Sequence, residues 1–314
     1  MHSIEEKRVY GDREGALEAY VASSIGVVRV RVADDTVGEF GLCDRSTARD
    51  IAATDGVVAI ATDEDVRLLD LEAGEDADAT DDETTGDATF VDSGFGPAVA
   101  VGADGAGLVA AGPDGDVARL ESPSTRTGAG ADAGSTDADA REWTTLESDG
   151  IAAVRAIDGD LVGTDGGVYR VHEGRLDHAG LSDVRDVSAA GVPLAATADG
   201  LYKLGNGWME ALEGSFETVA ADPRSERGQL TRAHAVAGDG DANPIYGYDA
   251  ADESWTEYDR SSESIVGIGY GRTVYAVTER GTFLAATPDD GAGRWRSQTI
   301  GVSGVTGLAV PTDE

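Results

Sequence analysis

The chain has 314 residues, with 60 acidic side chains against 24 basic ones and a formal net charge of −36. Lys7 and Lys203 are its lysines, and the acid runs along the whole length, so self-repulsion loads the fold until salt screens it. Such a surface excludes nucleic acid and anionic membranes as partners, and no run of about 18 apolar residues exists to span a bilayer.

The balance predicts a cytoplasmic protein of a high-salt cytosol, dependent on high salt (K+) for stability. The opening residues, Met1 to Arg8, lack the apolar core of a signal peptide. Cys43 is single, so neither a disulfide framework nor a thiolate metal site is expected; after Phe40-Gly41-Leu42 it reads as a buried, inert thiol.

In chain order, residues 1–14 are a charged lead-in, 15–310 a single domain, and 311–314 a tail. Ala16 to Val21 and Gly26 to Val32 form a first hairpin, and Thr36 to Leu42 a further strand. Arg49-Asp50-Ile51-Ala52-Ala53 opens a new unit, followed by strands Val57 to Ala61 and Val66 to Leu71. The opening phrase returns as Arg185-Asp186-Val187-Ser188-Ala189.

The hairpins are copies of one another. Thr164-Asp165-Gly166-Gly167-Val168-Tyr169-Arg170 and Thr197-Ala198-Asp199-Gly200-Leu201-Tyr202-Lys203 match in register; Ser23 to Val30 is a third copy, and Thr62 to Leu69 a fourth with Asp in place of Gly. Gly26, Gly167 and Gly200 suit turns that need positive φ, and Thr164 and Thr197 suit a hydrogen bond across the turn. Each unit is thus a first strand, a hairpin pair and a fourth strand, with Trp143, Trp208, Trp255 and Trp295 as candidates for that last strand.

First strands centred on Ile51, Val99, Val154, Val187, Val219, Ile268 and Leu308 give seven units of about 45 residues, the size of a propeller blade; uneven spacing leaves six or eight open. The chain starts with a hairpin lacking a first strand and finishes with Val305 to Val310, which has no hairpin after it. The fold expected is all-β: a β-propeller, seven four-stranded blades, with the C-terminal strand closing the N-terminal blade and its open edges. No stretch shows the period and caps of a helix.

Glu72 to Gly86 and Ser122 to Ala140 are too polar to repay ordering and read as mobile acidic loops. With Asp222 to Leu230 they follow third or first strands, so all three should hang from one edge, leaving the tight Asp-Gly turns on the other. Rigid turns hold a binding constellation better than floppy loops. The candidate binding residues are therefore Thr164, Asp165, Gly166, Thr197, Asp199, Gly200, Thr278 and Arg280.

Other motifs carry less. Thr287 to Trp295 is similar to the Asp-box turn of sialidase-like propellers, a structural turn remote from catalysis. Asp239-Gly240-Asp241-Ala242-Asn243 starts like a calcium loop, but Pro244 and Ala250 stand where its Gly and Glu belong. His172 and His178 lack the regular spacing of a zinc site, His234 lies in a strand-like run, and Gly267-Ile268-Gly269-Tyr270-Gly271 opens no helix and so is no phosphate cradle. No metal, cofactor or catalytic residue is assigned.

Taken together, the Thr-Asp-Gly-Gly-Val-Tyr-Arg and Thr-Ala-Asp-Gly-Leu-Tyr-Lys hairpins, the Arg-Asp-Ile/Val first strands and the acidic loops resemble the haloarchaeal β-propeller proteins of unassigned function. The resemblance implies a fold and a habitat, and no activity. Two functions stay open: a non-enzymatic binding or protein-interaction scaffold for a protein or small-molecule ligand, or a propeller hydrolase of a sugar or phosphate ester.

Overall fold

A computed structural model describes residues 16–54, 56–71, 89–105, 107–121, 141–148, 150–151, 153–238, 243–286 and 295–311. The chain begins with β1 (Leu17–Ser23), β2 (Gly26–Ala33) and β3 (Thr36–Asp44). The second blade is β4 (Ala48–Ala53), β5 (Val57–Thr62), β6 (Val66–Asp70) and β7 (Val91–Asp92). The third is β8 (Ala100–Asp104), β9 (Gly107–Ala111), β10 (Val117–Leu120) and β11 (Thr144–Thr145). Next come β12 (Val154–Asp158), β13 (Leu161–Thr164), β14 (Gly167–His172) and β15 (Arg175–Gly180). The fifth blade is β16 (Val184–Ser188), β17 (Leu194–Thr197), β18 (Gly200–Leu204) and β19 (Trp208–Glu213). The sixth is β20 (Phe216–Ala221), β21 (Ala233–Ala237), β22 (Asn243–Asp249) and β23 (Ser254–Ser261). β24 (Ile265–Tyr270), β25 (Val274–Thr278), β26 (Thr282–Ala286) and β27 (Trp295–Thr299) make the seventh, and β28 (Val305–Ala309) comes last. Among the described residues there is no helix.

Four of the hairpins are built by one turn chemistry. The Thr164 hydroxyl donates to Gly167 O at 2.9 Å and accepts from Gly166 N at 3.1 Å. Thr197, Thr62 and Ser23 repeat the bond to the carbonyl three residues on, at 2.9, 2.7 and 2.7 Å. Gly26 and Gly167 take φ of 138° and 136°, where a side chain would be strained. Gly200 departs from the expectation: it has no positive φ, and a Cβ there would press on Leu212 O at 3.1 Å. Close approach, not turn geometry, selects glycine at that position. The copy with Asp for Gly has its own cause. Asp65 turns its carboxylate onto the next link, accepting from Gly94 N, Phe95 N and Gly96 N at 3.0, 2.9 and 3.1 Å.

Seven antiparallel four-stranded sheets result, and one of them has the order β28-β1-β2-β3. The last strand therefore closes the first blade, pairing Tyr20 with Ala309 and Ala22 with Gly307. Hydrophobic burial follows the same ring, because the seven core clusters each join two neighbouring blades. At the closing joint Val21 and Val30 pack on Tyr275 and Phe283, and the Tyr275 hydroxyl donates to Asp34 O at 2.9 Å. Trp208, Trp255 and Trp295 lie in fourth strands, while Trp143 immediately precedes one.

In every blade the first strand starts, and the second-to-third turn sits, at the same edge of the ring. β6, β10 and β20 end at the opposite edge, as third or first strands must. The acidic stretches 72–86 and 122–140, most of the Asp-box-like stretch and residues 239–242 lie outside the described residues. Asp222 to Leu230 is described: Asp222 is buried, and Gly228 N donates to Gly191 O of the neighbouring blade at 2.9 Å.

Candidate functional site: the central channel

The seven first strands enclose a channel of about 730 Å³. A first strand has its second strand on one side and no ladder partner on the other, so its outward backbone groups need partners from the adjacent blade. Side chains supply them. Asp50 Oδ1 accepts from its own neighbour Ile51 N at 2.8 Å, while Oδ2 accepts from Val101 N of the next blade at 2.9 Å. Asp186, at the same register position, does likewise with Val187 N at 2.9 Å and Val219 N at 2.8 Å. Asp158 Oδ2 accepts from Ala189 N at 2.8 Å, and Ser188 Oγ from Ala221 N at 3.0 Å.

Other joints use hydroxyls: Thr218 donates to Ile265 O at 3.1 Å and Thr306 to Ala48 O at 3.0 Å. The joint between β24 and β28 is made by contact, because a Cβ on Gly267 would lie 2.7 Å from Leu308 N. That is the function of the glycine-rich run.

Burial is the dominant influence on the channel carboxyls. It pushes Asp50 up to about 7 against the two N–H bonds that favour the charged form. Asp186 is pushed to about 7 by burial, with Asp158 and Asp50 adding repulsion across the channel. Burial also raises Asp158.

The second residue of the first strands forms a ring near the tight-turn edge. It reads Arg49, Arg155, Arg185, Glu217, Val266 and Thr306, with Val99 at the equivalent register just before β8. Arg155 Nη1 donates to Asp183 at 2.5 Å and Val184 O at 3.2 Å; Arg185 Nη1 donates to Ser215 at 2.9 Å and pairs with Glu217.

At the other mouth lies a cluster the sequence did not flag. The Tyr270 hydroxyl donates to Ala220 O at 2.9 Å, which leaves the Nδ1–H of His234 to donate to Tyr270 Oη at 2.8 Å. Burial, with Arg232 adding repulsion, pushes His234 down to about 3, so the ring is neutral. Arg224 and Arg232 both grip Asp222 through Nη2–Oδ2 contacts of 2.9 and 2.7 Å. Burial works against the Asp222 carboxylate, but the two arginines outweigh it and hold it below the ordinary range. Arg224 also donates to Gly271 O at 2.6 Å, tying the loop to the seventh blade.

The residues singled out from the sequence divide by exposure. Asp165, Gly166, Asp199 and Arg280 are exposed at the turn tips, whereas Thr164, Thr197, Gly200 and Thr278 are buried in the turns. The Thr278 hydroxyl donates to Glu263 Oε2 at 2.7 Å. The fourth- and fifth-blade turns are linked through Asp183, whose N–H donates to Asp165 O at 2.8 Å, while the seventh-blade turn stands apart across the sixth blade. His178 packs edge-on against Tyr169 at 5.1 Å. Cys43 is half-buried; its thiol donates to Val27 O at 3.3 Å and burial raises it to about 11, an unreactive state at neutral pH.

Among solved structures, a functionally unknown protein from Desulfotomaculum acetoxidans is similar over 95% of this chain and 100% of its own, with TM-score 0.61 and 7% identity. A proposed 6-phosphogluconolactonase from Bacteroides fragilis matches with TM-score 0.57 and 12% identity, covering 96% and 99%. The computationally designed Ika8 protein matches with TM-score 0.54 and 15% identity, covering 94% and 91%. At such identities the likeness shows the fold alone. No curated protein matches by sequence. A family model described as HVO_0234-like, beta propeller, matches residues 3–311.

Proposed function

Because the chain belongs to the HVO_0234-like beta-propeller family, whose function is unassigned, we propose its role from its own residues. It is a non-enzymatic binding scaffold of a high-salt cytosol, and its partner docks on the tight-turn edge. The observation that carries this reading is the use already made of the channel carboxyls. Both oxygens of Asp50 and of Asp186 accept backbone N–H groups, so these carboxyls are engaged in joining neighbouring first strands. The tight-turn edge offers Asp165, Asp199 and Arg280 on hairpins fixed by buried hydroxyls, a rigid support for recognition.

The test is cross-linking in extract of the source organism at about 2 M KCl, where the Debye length is under about 3 Å. Cross-links should map to the tight-turn edge and weaken in the Asp165→Ala, Asp199→Ala, Arg280→Ala variant. Cross-links confined to the opposite edge would refute it. The hydrolase reading draws on the same aspartates, since a carboxyl near 7 suits general acid work. Turnover of a chromogenic phosphate or glycoside, abolished by Asp186→Asn, would favour it instead.

A further inference from the structure

We propose that the tight-turn mouth of the channel is an oxyanion site, formed by Arg155 and Arg185, that takes a phosphate group. The inference rests on the reading that this edge is the binding side, and it adds the chemistry that is bound there.

The first support is placement. Across the chain acids outnumber bases 60 to 24, yet this ring carries three arginines and a single acid, Glu217. The strands impose the proximity: Arg155 and Arg185 are the second residues of β12 and β16, the first strands of adjacent blades, and both line the channel.

The second support is how the guanidinium groups are held. Arg155 and Arg185 each spend Nη1 on the neighbouring blade, on Asp183 and Val184 O in one case and on Ser215 and Glu217 in the other. That anchorage fixes the planar fork. Among the described residues, Nε and Nη2 of both side chains remain without a partner, and the side chains are 37% and 28% exposed. A guanidinium has five donors, so each arginine keeps about three N–H groups for a ligand.

Geometry then selects the ligand class. A planar carboxylate is satisfied by one fork, whereas a tetrahedral phosphate can be met from several directions at once. Donors offered from two adjacent blades fit the second. The deeper carboxyls Asp50 and Asp186 weaken such binding less than ordinary aspartates would, because burial raises both to about 7.

The experiment is isothermal titration of the full chain in about 1 M KCl, with inorganic phosphate in one arm and phenyl phosphate in the other. Saturable binding is expected, weakened about tenfold or more by Arg155→Gln and by Arg185→Gln and unchanged by Arg175→Gln on the outer strand β15. Tighter binding of phenyl phosphate would assign the site to esters, and equal binding to the free ion; either supports the proposal. Far-ultraviolet circular dichroism establishes that each variant is folded. Absence of phosphate binding by the unaltered protein, or equal affinity in a folded double variant lacking Arg155 and Arg185, would overturn it. Because the probe is a small ion, the outcome does not depend on whether a protein partner docks on this edge.

Discussion

Two kinds of joint hold the channel together, and they do the same job with different chemistry. At the joints leaving β4 and β16, a carboxyl reaches over and accepts an N–H of the next first strand, Val101 or Val219. At the joints leaving β20 and β28, a threonine hydroxyl donates instead, to Ile265 O or Ala48 O. Thr218 stands at the register of Asp186, so a joint at that position can use either a donor or an acceptor, while Gly267 at the same register closes its joint by contact. The two differ in their response to pH, because a carboxyl joint titrates and a hydroxyl joint does not.

Removing a joint altogether sets the upper bound. Deletion of Val305 to Glu314 strips the ladder from β1 and exposes the core around Val21, and it should cost several kcal/mol. A thermal midpoint equal to that of the full chain would break the closure on which every joint depends. Salt acts on all joints alike. With a net charge of −36, transfer from about 2 M to about 0.1 M KCl lengthens the Debye length to about 10 Å, and circular dichroism should report loosening or unfolding.

The two classes separate under substitution. Asp186→Ala or Asp50→Ala leaves a buried N–H without its acceptor and should cost about 1–3 kcal/mol; Thr218→Val or Thr306→Val should cost about 1 kcal/mol, because a carbonyl tolerates loss of one bond better. Denaturant midpoints would measure both. Equal costs would erase the distinction.

The response to pH is the most specific. The folded carboxyls of Asp50 and Asp186 lie near 7, above the ordinary 3.8 of the unfolded chain. Between those values the native state holds protons that the unfolded state has lost, so their contribution is full below 3.8 and fades as pH rises to about 7. Stability should fall from pH 4 to about 7, and the Asp50→Asn, Asp186→Asn pair should flatten part of that slope. Thr306→Val should leave the slope untouched.

The hairpins were legible because their signal is local: a Thr and a Gly three residues apart build the turn by themselves. The Trp-bearing fourth strands and the incomplete terminal units were legible for a similar reason, as repeats of one pattern. The Arg-Asp-Ile/Val phrase was visible only as a repeat mark, since Asp50 and Asp186 find partners 51 and 33 residues on, across a blade boundary. His234 was passed over as part of a strand; its partner Tyr270 lies 36 residues away in the next blade. A usable signal existed. At the register of His234 the other second strands carry Tyr20, Ala59, Val109, Leu161, Leu194 and Tyr275, so a histidine there breaks an apolar or aromatic series. Gly200 misled in the opposite way, because a glycine required by close packing looks in sequence like one required by a turn.

Amide hydrogen exchange at Val219 and Val101 tests most directly whether the channel aspartates are committed to holding the next blade. In Asp186→Ala, exchange at Val219 should quicken about tenfold or more while Val101 keeps its protection, and Asp50→Ala should reverse the pattern. Unchanged protection at both amides in both variants would show that the carboxyls are free for other chemistry, and would contradict the scaffold reading built on them.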